Sequence, residues 1–122
     1  MTERTLTITL GSDWQAGLRR AAVLAERDGY QGEVLNFESA GAFFGRLTHN
    51  RWTLLRTLQG SGELSIRELA RRVGRDIKRV HGDVAALLEL GLCERGRLGG
   101  VVCPFATVRI DMELHGDRRL AA

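Results

Sequence analysis

Apolar and polar positions alternate with helical spacing in the middle of the chain, and this stretch predicts two helices joined by a tight turn. Residues 66–73 carry apolar side chains at i, i+3, i+4 and i+7, which is one face of a helix. Ser65 followed by Glu68 forms a capping box, in which the hydroxyl accepts from the amide of Glu68 and the carboxylate accepts from the amide of Ser65. Gly74 ends this helix. Its apolar positions are Ile66, Leu69, Ala70 and Val73.

A second helix is predicted over about 76–90, with Asp76 as its N-cap. The spacing of a small residue, a glycine and a β-branched residue at Ala70, Gly74 and Val80 lets the two helices cross closely, as in a helix-turn-helix. The apolar set of this helix is Ile77, Val80, Val84, Leu87 and Leu88. The opposite side is basic at its start and small further on, which would let the helix lie close to a polyanion. That side comprises Arg75, Lys78, Arg79, Gly82 and Ala86.

The residues before this pair predict a mixed segment. Residues 5–10 alternate as a half-buried strand, a helix follows from Ser12 to Asp28, and 33–37 form a second strand. A short helix from Ser39 carries Phe43 and Phe44, which belong to the core or to an interface, with the core favoured.

Thr48 can cap the next helix, which ends before Gly60 and whose apolar face is predicted to contain Trp52, Leu55 and Leu58.

After Leu92 the apolar positions repeat every 2 residues, as in a strand, instead of every 3.6 residues, as in a helix. Residues 92–95 and 101–103 predict a hairpin around a glycine-rich loop at 96–100, and 107–114 predict a further strand with one buried face. Three helices followed by a hairpin is the order of a winged helix. Arg95 and Arg97 would lie on the wing, against a DNA backbone or minor groove, although Arg97 could equally be a solubilising loop residue.

Charge supports a polyanion partner through its distribution. The whole chain has net charge +3, whereas residues 65–103 hold eight basic and five acidic residues and residues 1–47 hold five basic and six acidic ones. The basic surplus therefore coincides with the helix pair. No stretch resembles a signal peptide or a transmembrane span, so we expect a cytoplasmic protein. Cys93 and Cys103 lack the spacing of zinc ligands; they could face each other across the hairpin, but small buried hydrophobes are favoured.

Three stretches carry a family resemblance: residues 47–55 (LTHNRWTLL), 67–70 (RELA) and 74–84 (GRDIKRVHGDV). Over about 47–114 the chain resembles a prokaryotic family of small DNA-binding regulators similar to MarR-type winged helices, which are often suspected to be antitoxins of toxin–antitoxin pairs. The resemblance implies a winged helix, operator binding, a homodimer and a toxin partner.

The fold class expected is therefore α+β, a winged helix-turn-helix at 48–114 with an N-terminal β-α-β segment at 1–47 for dimerisation or partner binding, and a flexible tail at 115–122. The function expected is sequence-specific transcriptional regulation, as a repressor or autoregulating antitoxin that binds double-stranded DNA as a homodimer. The alternative is a winged-helix module that binds a toxin or a polymerase without reading DNA. The expected DNA-binding residues are Ser65, Arg67, Arg75, Lys78, Arg79, His81, Gly82, Arg95 and Arg97.

Enzyme chemistry has little support in the sequence. No nucleophile elbow, P-loop, HExxH or dinucleotide glycine motif is present, and the histidines at 49, 81 and 115 are scattered. We expect no catalytic residue, no metal and no cofactor. His81 lies at the edge of the second helix, where it could bond a phosphate or a base, or be a partly buried residue bonded to its neighbours.

Overall fold

The protein combines helices and strands in an α+β fold, and the computed structural model describes residues 4–11, 19 and 32–112. The strands of this part are β1 (Arg4–Leu10), β2 (Glu33–Phe37), β3 (Glu94–Arg95), β4 (Val101–Val102) and β5 (Phe105–Asp111). Its helices are α1 (Ala40–Arg46), α2 (His49–Leu58), α3 (Ile66–Val73) and α4 (Ile77–Leu90). The helix predicted between 12 and 28 and the tail at 115–122 lie outside the described residues, apart from Arg19, which is helical.

Three strands form one parallel sheet in the order β2-β1-β5. Leu6 of β1 pairs with Glu33 on one side and with Val108 on the other. The strands thus find partners within one chain, and pairing across a two-fold axis is not needed to supply them. A homodimer and a boundary at residue 47 both stay predictions, but the sheet spans that boundary because β5 pairs with β1.

The prediction of a half-buried first strand is wrong. Leu6 and Ile8 are buried on one side of β1, and Thr7 and Thr9 are buried on the other. The cause is the position of β1 between two parallel neighbours, where a strand is covered on both faces. Thr9 keeps its hydroxyl satisfied by donating to Asn36 Oδ1 at 2.8 Å.

The last strand begins two residues earlier than predicted, at Phe105, and ends at Asp111. Met112, which the alternation along 107–114 places on the buried face with Val108 and Ile110, is 46% exposed. Arg4 ties this region together: its guanidinium binds Glu33 of β2 at 2.6 Å, lies 3.6 Å from Glu94 of β3 and covers the ring of Phe105. Arg4 therefore links the sheet to the hairpin.

Two aromatic residues, Phe44 and Trp52, are more exposed than the sequence predicts. Phe43 is fully buried and packs on Phe37 with ring centroids 4.9 Å apart, whereas Phe44 is 46% exposed. In α2 the buried face is formed by Leu54, Leu55 and Leu58, and Trp52 is 40% exposed at its edge. Periodicity predicted the helices correctly but misjudged where the buried stripe is centred.

The hairpin forms as predicted, with Glu94 opposite Val102 and Arg95 opposite Val101. Leu64, just before α3, adds a further bridge through two backbone hydrogen bonds with Val101, of 2.9 and 2.8 Å. The hairpin is thus attached to the start of α3.

Both cysteines are free and buried, which confirms the prediction of small buried hydrophobes. Burial, helped by the nearby Cys103, raises the pKa of the Cys93 thiol to about 12. Burial likewise raises the pKa of Cys103.

None of the described helices is both long enough and apolar enough to cross a bilayer.

Candidate nucleic-acid interface

The turn between α3 and α4 has the predicted construction. Gly74 adopts a left-handed conformation with φ 68°, and its amide caps the end of α3. Ala70 is 5% exposed and Val80 is fully buried, so a small residue and a β-branched one fill the crossing of the two helices. The turn therefore fixes how α4 is presented to solvent.

Only half of the predicted capping box forms. Ser65 Oγ accepts from the amide of Glu68 at 3.0 Å, as expected. The Glu68 carboxylate, however, binds Arg71 and Arg72, with an Arg71 Nε contact of 2.8 Å and an Arg72 Nε contact of 3.2 Å. These bonds, Arg71 first, lower the pKa of Glu68 from 4.5 to about 2. Two arginines of α3 are thereby bound to one acid on their own helix, and the three groups together keep one positive charge.

The first turn of α4 presents two cations to solvent. Asp76 accepts from the amides of Lys78 at 3.1 Å and Arg79 at 3.2 Å, which confirms it as the N-cap. The side chains of Lys78 and Arg79 are exposed, and within the described part of the chain neither makes a hydrogen bond or ion pair. Their charges are available to an external partner.

Arg75 lies differently from the prediction. Its Nη2 donates to Asp83 Oδ2 at 2.7 Å, and Arg51 of α2 donates through Nε to Asp83 Oδ1 at 3.0 Å. The side chains of Arg75, Asp83 and Arg51 are only 23%, 16% and 26% exposed. Arg75 is thus part of a three-residue ion cluster between α2 and α4 rather than an outward-facing contact.

The charge of Asp83 is stabilised by its partners. Burial by itself would raise the pKa of Asp83, but hydrogen bonds from Arg75 and then Arg51 outweigh it and hold the pKa below its ordinary value. The cluster has one more positive charge than negative, and Nη1 of Arg75 is buried with no hydrogen-bond partner among the residues that the structure describes. Asp83 therefore holds two arginines that would otherwise be left uncompensated.

Ile77 is the member of the predicted apolar set that does not pack inside. Val80, Val84 and Leu87 are buried, whereas Ile77 is 43% exposed. It lines an open groove of about 480 Å³ at the turn. The lining residues of the groove are Arg67, Ala70, Arg71, Gly74, Arg75 and Ile77.

His81 and Gly82 lie on the exposed side of α4. His81 has no side-chain partner among the described residues, so the alternative of a partly buried, bonded histidine is wrong. Apart from its chain neighbours and the backbone of its own helix, a Cβ placed on Gly82 would meet no atom of the described residues within 4 Å. Packing among the described residues therefore gives no reason for a glycine in the middle of this helix.

The hairpin loop is anchored by an acid that the sequence analysis did not single out. The Glu63 carboxylate accepts from the amide of Leu98 at 2.9 Å and from that of Gly100 at 2.7 Å. Gly99 adopts φ 84°, and a Cβ on Gly100 would overlap the carbonyl of Leu64. These contacts fix the loop beside the start of α3.

The hairpin presents exposed side chains on β3 and in its loop. Arg95 and Arg97 are exposed and form no hydrogen bond or ion pair within the described part of the chain, and Leu98 is 90% exposed. Arg67, near the start of α3, is exposed and equally unpaired among the described residues.

The structure thus leaves five predicted cations free of partners in the described part of the chain, and it ties Arg75 inward. The free ones are Arg67, Lys78, Arg79, Arg95 and Arg97. Ser65 is occupied as a cap. Sequence reasoning missed Glu63, whose two loop contacts are long-range and leave no local signal, and it misplaced Ile77, which periodicity assigned to the core.

Across the described residues there is no group of three or more histidine, cysteine or acidic side chains able to hold a metal ion. What the fold does present is a helix pair with an exposed basic first turn in an α+β protein. Residues 46–110 match the HVO_A0114 family, so the chain belongs to that family. The family is uncharacterised, and the match covers α2 to α4 and the hairpin, which contain the candidate interface. No curated protein and no solved structure matches the chain.

Proposed function

We propose that the protein is a sequence-specific DNA-binding regulator in which α2, α3, α4 and the β3–β4 hairpin act as a winged helix-turn-helix. The observation that carries this proposal is the pair of exposed cations Lys78 and Arg79 on the first turn of α4, which have no partner in the described part of the chain. A helix that begins at a tight turn and bears free cations there is suited to enter a major groove.

In the proposed complex, Lys78 and Arg79 contact phosphates or guanine edges from the major groove. The forked guanidinium of arginine suits the two acceptors of guanine, whereas lysine acts as a point charge. Arg95 and Arg97 would lie along the backbone or in the minor groove, and the anchoring of the loop by Glu63 supports this role because it reduces the entropy lost on binding.

The two bound carboxylates support the choice of contacts. Glu68 holds Arg71 and Arg72, and Asp83 holds Arg75, so each of these three arginines is already bound to an acid. A cation that must leave an acid to reach a phosphate gains less than a free one. Among the cations without an acid partner, Lys78 and Arg79 lie on the first turn of α4, so we assign the main contacts to them and withdraw Arg75 from the set.

The resemblance to MarR-like regulators adds a repressor or antitoxin role, a cytoplasmic location and a homodimer to the proposal. A homodimer would read two half-sites about one helical turn apart. Light scattering at micromolar concentration tests this part, and a monomer both free and on DNA would contradict it.

A second function, binding of a protein such as a toxin, is favoured by one specific observation. Phe44 and Trp52 are aromatic residues of adjacent helices that are 46% and 40% exposed. Aromatic side chains are enriched in protein interfaces. If the neighbouring gene product binds, Phe44→Ala should weaken that complex and leave DNA affinity unchanged.

The experiment for the main proposal is a gel shift at fixed salt with a duplex selected by the wild-type protein. Lys78→Ala with Arg79→Ala should lower affinity by at least about tenfold and reduce the slope of log K against log salt by about 2. The matched control is Arg56→Ala with Arg109→Ala, which removes the same charge from exposed positions on α2 and β5. Equal affinities of the wild type and the Lys78/Arg79 variant would reject the assignment.

A further inference from the structure

The first turn of α4 exposes an apolar side chain beside its free cations. Ile77 is 43% exposed although it follows directly after the N-cap of a helix whose other β-branched residues, Val80 and Val84, are buried. A single exposed hydrophobic residue is ordinary on a protein surface, so its surroundings decide whether it matters.

Those surroundings combine an apolar wall with a cationic rim. Ile77 faces an open groove of about 480 Å³ that also exposes Arg67 and Arg71 of α3. Ala70 and the side-chain-free Gly74 lie between the two helices, so the groove is not filled by a large residue. Of its three arginines, Arg71 is bound to Glu68 and Arg75 to Asp83. Arg67 has no side-chain partner within the described part of the chain.

This combination selects among possible occupants by charge and shape. An occupant that satisfies Arg67 must be anionic, and one that covers Ile77 must offer a small apolar group close to that charge. Duplex DNA has both, because thymine places a methyl group on the major-groove edge of its base pairs, next to the phosphate backbone.

We propose that Ile77 is a specificity-determining residue that packs on a thymine methyl group while Arg67 contacts a nearby phosphate. This inference rests on the proposed DNA-binding function and adds a base preference to it. Lys78, the next residue of α4, then provides the neighbouring polar contact, so the first turn of the helix reads one thymine and an adjacent base or phosphate.

The test removes single thymine methyl groups from the DNA. A duplex enriched by the wild-type protein is synthesised with each thymine changed in turn to deoxyuridine, which lacks only the methyl group. At one thymine of each half-site, the change should weaken wild-type binding by about fourfold, the effect expected for losing one buried methyl-sized group. Ile77→Ala should bind the unmodified duplex more weakly and be insensitive to the same change.

Two controls separate this from general loss of affinity. Met112→Ala removes a similarly exposed apolar side chain, 46% against 43%, from the position directly after β5, and it should retain the thymine dependence. Ile77→Val keeps a branched side chain and should retain most of the dependence on the thymine methyl group. Circular dichroism and thermal melting check that both Ile77 variants are folded.

The outcomes are distinct. If the wild type binds its selected duplex but tolerates deoxyuridine at every position, or if Ile77→Ala keeps the same dependence, the role of Ile77 is rejected and DNA binding stands. If the wild type enriches no duplex, both the inference and the proposed function fail. If Ile77→Ala instead abolishes binding of a protein partner and leaves DNA binding intact, the groove is a protein site and the inference is overturned.

Discussion

Replacing Asp83 by alanine should lower the free energy of unfolding more than the same replacement of an exposed acid does. Asp83 accepts hydrogen bonds of 2.7 Å from Arg75 and 3.0 Å from Arg51, and its side chain is 16% exposed. Hydrogen bonds to charged groups contribute about 1.5–3 kcal/mol each, and breaking a buried ion pair costs about 3–5 kcal/mol. Because the cluster keeps some solvent contact, we expect the free energy of unfolding to fall by about 3 kcal/mol.

Glu68 is the matched control, since it is also a carboxylate bound by two arginines. Its partners Arg71 and Arg72 have side chains that are 72% and 42% exposed. Although these partners lower the pKa of Glu68 to about 2, solvent screens the pair, and the pKa shift does not convert into an equal gain in stability. Glu68→Ala should therefore cost far less than Asp83→Ala.

Urea unfolding followed by circular dichroism measures both variants against the wild type. The loss of about 3 kcal/mol corresponds to a fall in Tm of roughly 10 °C for a domain of this size. Adding Arg75→Ala to Asp83→Ala should recover part of the loss, because it removes the uncompensated guanidinium. Equal losses for the Asp83 and Glu68 variants would refute the reasoning that burial makes this cluster important.

Three further changes should alter the free energy of unfolding: lowering the pH, Gly82→Ala and Gly100→Ala. The free energy of unfolding of the wild type should fall as pH drops below about 3.8, because the pKa of Asp83 is lowered in the folded state and its stabilisation is lost as pH falls through the folded value; in Asp83→Ala this part of the acid titration should be missing. Gly82→Ala should raise the free energy of unfolding by about 1 kcal/mol in thermal melts, since a Cβ there meets no other element of the described part of the chain, and a loss of stability would contradict the open space. Gly100→Ala should lower it by about 2 kcal/mol, because the Cβ would overlap the carbonyl of Leu64 and force the hairpin loop to shift; an unchanged melt would show that the loop can adjust.

Local signals in the sequence predicted the helix pair well. The caps at Ser65 and Asp76 and the left-handed turn at Gly74 each depend on residues within four positions of one another, so spacing alone reveals them. The hairpin at 96–100 was predictable for the same reason, since its loop glycines lie between two short apolar runs.

Long-range contacts explain what the sequence could not predict. β1 pairs with β5 across about a hundred residues. The alternation of apolar and polar residues in either strand does not indicate which strand it pairs with or in which direction. Asp83 accepts from Arg51 of another helix and also from Arg75. The position of Arg75 in the sequence places it on the outer face, and only the contact with Asp83 shows that its side chain turns inward.

The exposed apolar residues were missed for a related reason. A period of 3.6 locates an apolar stripe, but the residues at its edges are buried only if a neighbouring element covers them. Ile77 lies at the open side of the turn and Trp52 at the border of the α2 stripe, so both remain partly exposed. The edges of a predicted stripe are therefore where candidate contact residues are best sought.

Selection of bound duplexes from a random DNA pool tests the central claim most directly, because the protein itself picks its operator from all sequences in the pool. With the wild-type protein at fixed salt, successive rounds should enrich related sequences that contain a repeated half-site, and the variant with Lys78→Ala and Arg79→Ala should enrich them far less. A wild-type pool that stays indistinguishable from the input after the same rounds would contradict the proposal that α4 reads DNA.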